Sequence, residues 1–192
     1  MTARLDLIAH GASGATRAAR FPEDEPLEPS AIVEAEALRG RLRRYDRVLT
    51  SPARAAVETA EALGLNAEIE PALGDCDYAR WRGLTLADVA ARDADGFAKW
   101  LSDPDATPHG GESLTALIGR VGVLLSGMLA SKKGATLAIT HASIVRAAIV
   151  SALGAGPMAF WRIDVAPLSI ARLSGREGRW NIASLGPRGA PP

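Results

Sequence analysis

Cysteine is nearly missing from this sequence. Cys76 stands alone, which excludes an internal disulfide, and the three histidines are scattered, so there is no Cys/His cluster at the spacing of a zinc site. A reducing cytoplasm is the expected setting. Net charge is missing as well: 22 basic and 22 acidic residues cancel, so no global field draws in nucleic acid or an anionic membrane, and any anion site has to be local. Neither a leader nor a span is expected. The stretch from Met1 to Leu7 carries Arg4 and Asp6 and lacks the apolar run of a signal peptide, and no segment reads as the run of about eighteen apolar residues that a membrane span needs. A soluble protein is expected, and nothing in the pattern marks an oligomeric state.

What is present suffices for one substantial core. The 192 residues are 47% hydrophobic, and a chain of this size is expected to form one domain, over 1–192. Leu5, Leu7 and Ile8 form a short apolar run that ends at His10-Gly11, the pattern of a buried strand handing its polar end to a loop. A small glycine-rich loop follows, then the acidic, proline-rich Phe21-Pro22-Glu23-Asp24-Glu25-Pro26, expected as a solvated surface excursion. The spacing of Ile32, Ala35, Leu38 and Leu42 predicts a helix over 31–44. A strand at Arg47 to Leu49 comes next, and Ser51-Pro52 announces another helix with Ser51 as its cap and Gly64 as its stop.

A short strand is expected over 67–69, one helix over 84–100, and a Pro/Gly loop over 103–111 in which His109 reads as surface. A long helix capped by Ser113 and stopped by Gly134 follows. Ala135 to Thr140 is a strongly apolar strand leading straight to His141, and a helix over 143–153 and a hairpin of 168–173 with 180–185 complete the pattern. Strands alternating with helices predict an α/β fold, a three-layer α/β/α sandwich with a mostly parallel central sheet.

In such a sheet, ligands bind beyond the carboxyl ends of the strands, where loops and helix N-termini offer unpaired amides to anions. His10 and His141 both occupy that position. A single histidine there is easily a hydrogen-bonded loop residue; two at equivalent strand ends point to a site.

These residues carry a family resemblance. Leu7-Ile8-Ala9-His10-Gly11-Ala12-Ser13 resembles the Arg-His-Gly signature of the histidine phosphatase (phosphoglycerate mutase-like) superfamily, with Ala9 at the arginine position. The helix start from Thr50-Ser51-Pro52 to Thr59-Ala60, the acidic and aromatic loop from Asp75 to Gly83, the Gly110-Gly111-Glu112-Ser113 turn and Ile139-Thr140-His141-Ala142 are similar to later motifs of that family, in the same order. The resemblance implies a phosphoglycerate mutase-like fold and a cofactor-independent, metal-free phosphatase acting on a small phosphorylated molecule. It implies that His10 attacks phosphorus, that His141 stabilises the transferring group, and that Asp75, where glutamate is common, protonates the leaving oxygen. Gly11, Ser13, Thr16 and Ala142 would surround the phosphate, with Glu112 near the amides or His10.

The pattern also departs from the family. Alanines stand at both positions where phosphate-binding arginines belong, Ala9 and Ala55. Arg17, Arg20 or Arg54 is expected to supply the missing charge. Losing two charge-assisted contacts would weaken phosphate stabilisation by about 3–6 kcal/mol. A non-catalytic member that only binds a phosphorylated ligand is therefore the alternative, and a mutase is disfavoured because the short chain has little room to enclose an intermediate. Tyr78 and Trp81 read as core or rim packing, with a pocket wall as the other option.

Overall fold

A computed structural model describes residues 3–131 and 134–186; the outer ends of the expected 1–192 domain lie outside the described residues. In chain order the elements are β1 Ala3–Ala9, α1 Gly14–Arg17, α2 Pro29–Glu36, β2 Arg47–Thr50, α3 Arg54–Ala62, β3 Glu68–Ile69, α4 Leu86–Arg92, α5 Ala94–Ser102, α6 Leu114–Ser131, β4 Ala135–Thr140, α7 Ala142–Leu153, β5 Ile170–Arg176 and β6 Arg179–Gly186. Short 3-10 turns occupy Pro71–Leu73, Ala79–Trp81 and Pro157–Arg162.

The strands form one sheet in the order β3-β2-β4-β1-β5-β6. The first four in that order run parallel, and the β5–β6 hairpin closes the sheet antiparallel beside β1. Both faces of the central strands are mostly apolar, as a covered parallel sheet requires, with Asp6 buried against Arg43 and Tyr45. Leu5, Leu7 and Ala138 pack with α6 and α7 on one face, while Ile8, Leu137 and Ile139 pack with α2 and α3 on the other. The sheet between two helical layers is the sandwich that the alternation of elements predicts.

Three expectations about elements need correction. The helix expected over 31–44 ends at Glu36, because its last turns tighten into short-range bonds such as Leu38 N to Ala35 O, and the chain then reverses at Gly40 with φ +71°. The single helix expected over 84–100 is two, broken at Asp93, whose side chain accepts from Gly96 N at 3.0 Å and so caps the second helix instead of continuing the first. The third concerns α6. By length and composition it meets the criterion for a membrane-crossing helix, with 18 residues and mean hydropathy 1.6. Yet Leu117, Val121 and Leu125 on one of its faces are buried in the core cluster, and Arg120 is tied to a neighbouring loop.

Candidate active site

The site begins with the pairing of β1 and β4. Ala9 lies opposite Thr140 in a parallel register, so the next residues, His10 and His141, leave the sheet side by side. The His10 amide donates to Thr140 O at 2.7 Å. The two rings meet edge to face, centroids 5.0 Å apart and planes at 78°. His10 Nδ1 is 2.7 Å from Gly11 O, and since a carbonyl only accepts, Nδ1 carries a proton, which in the neutral ring leaves the lone pair on Nε2. Among the described residues Nε2 has no hydrogen-bond partner.

His141 is buried and caps α7. Its Nε2 lies 2.9 Å from Ser51 Oγ, which also accepts from Ala53 N. Its Nδ1 faces Asp75 Oδ2 at 3.5 Å, an ion-pair distance that falls short of a hydrogen bond. Burial pushes the His141 imidazole down to about 4; the Asp75 carboxylate acts in the opposite direction and His10 adds to the fall. The ring is therefore neutral near pH 7. Ser51 was expected to cap α3, but the cap position is Ala53, and the Ser51 hydroxyl is turned to the histidine.

Asp75 also accepts from Ser143 Oγ and from the Cys76 amide at 2.8 Å. Its loop is stapled from behind by Arg120, which donates to Ala72 O at 2.9 Å, Gly74 O at 3.1 Å and Asp75 O at 3.3 Å. Arg120 pairs at the same time with both oxygens of Glu112, at 2.9 and 2.8 Å. Glu112, expected near the phosphate, instead holds this staple. Cys76, beside Asp75, has its thiol pushed up by burial and directed at Glu112 O, which makes it a poor nucleophile.

Two adjoining cavities share His10, Ser13, Pro22, Asp75 and His141. The first, about 360 Å³, is bordered by Glu23, Asp24, Glu25, Ala55 and Arg82; the second, about 480 Å³, is walled largely by aromatic rings. The segment Phe21 to Pro26 contributes to both and is not merely solvated, as its sequence suggests. Phe21 is buried, Glu25 pairs with Arg20, and Asp24 accepts from Arg54 N at 2.7 Å, covering an amide at the start of α3.

The three expected replacement arginines are all matched by carboxylates. Arg17 pairs with Glu28 and Arg54 with Glu58, and neither lines a cavity; Arg20 lines the second cavity but pairs with Glu25 at 2.8 Å. Ser13 and Thr16 line the second cavity while capping α1 reciprocally. Ala142 borders the same cavity, whereas Gly11 lies behind it with its amide donating to Thr59 Oγ1 at 3.0 Å. His109, expected at the surface, is 1% exposed: its Nδ1 accepts from Gly111 N and its ring packs on Trp81 at 5.1 Å. Burial lowers its pKa. Among the described residues no group of three His, Cys, Asp or Glu side chains is arranged to hold a metal.

A mostly parallel α/β sandwich with paired histidines at adjacent strand ends defines the phosphoglycerate mutase-like class of fold. The family model described as histidine phosphatase superfamily (branch 1) matches residues 5–187, and the chain belongs to that family. It is 35% identical over 131 residues to the bifunctional protein Rv2228c of Mycobacterium tuberculosis, covering 65% of this chain and 36% of the relative, so the chain spans about a third of that protein's length. Phosphoserine phosphatase 1 of Hydrogenobacter thermophilus is 26% identical over 185 residues, 90% of this chain and 88% of the relative. In fold, the chain is similar to a putative alpha-ribazole-5'-P phosphatase from Escherichia coli, with TM-score 0.87, 24% identity and 96% of each chain covered.

Ser51, Ser143 and Arg120 were missed by sequence reasoning. Ser143 had a signal, since it follows His141 by two residues at the start of a helix, whereas Arg120 becomes visible only through the fold.

Proposed function

We propose that this protein hydrolyses a small phosphomonoester through a phosphohistidine at His10, in a reducing cytoplasm and with no metal or cofactor. The observation that carries the reading is the His10–His141 pair, edge to face at 5.0 Å, with the His10 proton fixed on Nδ1 by Gly11 O. That tautomer leaves Nε2 free to attack. In the first step Nε2 forms a bond to phosphorus as the ester P–O bond breaks, and the carboxyl of Asp75 gives its proton to the departing oxygen. In the second, Asp75 takes a proton from water as its oxygen attacks phosphorus, the P–N bond breaks, and inorganic phosphate leaves.

Burial holds His141 neutral near pH 7. A phosphate dianion beside it favours its charged form, so substrate binding itself draws a proton onto the ring and supplies a positive charge that Ala9 and Ala55 do not. Ser51 and Ser143 hold His141 and Asp75 in the geometry this requires.

Ala55, on the border of the first cavity where the family pattern has a phosphate arginine, supports a second reading, a member that binds a phosphorylated ligand without turning it over. Initial rates on an aryl phosphate with chelator present distinguish the two. The expected result is slow hydrolysis that falls by at least about a thousandfold in His10→Ala, with an acid-labile phosphoryl label on the wild-type protein. Hydrolysis that survives His10→Ala or needs added metal rejects the mechanism. Phosphate binding without turnover establishes the second reading.

A further inference from the structure

The chain holds four tryptophans, two tyrosines and three phenylalanines. Six of these nine, Phe21, Tyr78, Phe97, Trp100, Phe160 and Trp161, line the second cavity. They come from four separate segments, yet their rings are in contact: Trp100 with Trp161 at 4.7 Å, Phe21 with Tyr78 at 4.8 Å. Trp81 backs them, 5.3 Å from Phe21 and 5.6 Å from Trp100. A chain that spends so few aromatic residues elsewhere has gathered them beside its paired histidines. Walls of this kind favour flat apolar ligands through stacking and area burial.

The polar groups on this wall are selective too. Arg146, one turn into α7, donates from Nε to Ile163 O at 2.7 Å and lies over the Phe160 ring at 5.5 Å. Of the three arginines that line the two cavities, Arg20 and Arg82 are matched by Glu25 and Asp77, and Arg146 alone has no carboxylate partner among the described residues. Its charge bears on Tyr78, at the aromatic wall. Trp161 adds an indole N–H that is buried without a hydrogen-bond partner among the described residues. Asp75, shared with the first cavity, is the one acidic side chain on the lining. Arg146 and Trp161 thus place donors on the aromatic wall, with a guanidinium anchored through Nε and its two outer nitrogens without a hydrogen-bond partner among the described residues.

We infer that the second cavity selects the leaving group, and that this group is a flat aromatic ring bearing an anionic substituent, which Arg146 holds. The inference rests on the phosphatase reading for the role of leaving group; occupancy of the cavity by such a ring does not require turnover. The guanidinium, anchored through Nε and lying over Phe160, presents Nη1 and Nη2 to a carboxylate in the forked geometry that arginine offers and lysine does not. The rings then exclude water from that contact, which strengthens it.

Two measurements test this. In the kinetic one, 4-carboxyphenyl phosphate, phenyl phosphate and glycerol phosphate are compared. The expected order of KM is carboxyphenyl below phenyl below glycerol, each step about tenfold, and Arg146→Met should collapse the carboxyphenyl preference to about unity while Arg146→Lys keeps part of it. Trp100→Leu should weaken the preference of phenyl over glycerol phosphate. In the binding one, 2-naphthoate and cyclohexanecarboxylate are titrated into wild type, His10→Ala and Arg146→Met by tryptophan fluorescence, with thermal melts to verify folding. Naphthoate should bind to the first two proteins and about tenfold more weakly to the third. A carboxyphenyl preference that survives Arg146→Met, glycerol phosphate served as well as phenyl phosphate, or naphthoate bound no better than cyclohexanecarboxylate overturns the inference. If no ester is turned over but naphthoate binding depends on Arg146, the phosphatase reading fails and the cavity's selectivity stands.

Discussion

The two cavities share a floor and differ in their walls. On one side of the histidine pair stand Glu23, Asp24 and Glu25; on the other stand aromatic rings and Arg146. The two histidines of the floor follow strand ends directly, whereas the walls come from loops and helices that a strand register does not govern. One irregular segment makes the division, since Phe21 belongs to the aromatic wall and Glu23 to Glu25 border the acidic side. For an ester bound at His10, the consequence is orientation. In the proposed hydrolysis the carboxylates would admit water and the rings would accept an apolar substituent, so its two steps would draw on opposite sides of the same pair.

The largest expected effect isolates the seam between the two sides. His141 is held near 4 against an ordinary value of 6.5, so the unfolded chain takes up a proton that the folded one refuses. Stability contributed by the neutral ring is complete above about pH 6.5 and is lost as pH falls toward 4, by on the order of 3 kcal/mol. The lowered pKa of His109 adds to the loss in the same direction. Urea midpoints measured at about pH 7 and about pH 4.5 should show the decline, and His141→Gln should flatten it. A pH dependence unaffected by that substitution would place the cost elsewhere.

Next in size is the staple behind Asp75, which serves both sides equally. Arg120→Met leaves Glu112 and three loop carbonyls without their donor, at a cost of about 2 kcal/mol in urea unfolding. Because Arg120 positions Asp75 from outside both cavities, kcat should fall more than KM changes. Equal loss in binding and turnover would argue against a positioning role. The smallest effect erases the contrast in charge. Ala55 borders the acidic cavity, and Ala55→Arg there should raise kcat/KM on a simple aryl phosphate by about tenfold, with the gain shrinking as salt is raised. No gain at low salt would mean that Asp24 and its neighbours already neutralise any cation placed on that side.

The floor of the site was legible in the sequence because it follows from alternation: an apolar run ending in His-Gly, and another ending in Thr-His, fix both histidines at strand ends whatever surrounds them. The walls were not. Helical spacing continued through Leu38 and Leu42 although the backbone had already tightened and turned, and Asp93 carried no apolar signal to reveal that it caps a new helix. His109 looked like surface because its loop is rich in proline and glycine, yet the aromatic cluster folds over it. Arg17, Arg54 and Arg146 are indistinguishable as residue types. Only the placement of Glu28 and Glu58 shows that the first two are matched, and only the arrangement of Phe160 and Ile163 shows that the third stands at the cavity wall.

The pairing of β1 with β4 has a consequence for how the protein comes into being. His10 is made before His141, and the register that sets Ala9 against Thr140 closes a long loop. Closing long loops is slow because the entropy of the intervening segment is lost before the contact is gained. His10 therefore lacks its partner until β4 has been made and has inserted between β2 and β1. Recovery of activity on refolding should accordingly trail the appearance of helical signal, since α2 and α3 can form before the central strand arrives and the paired histidines cannot.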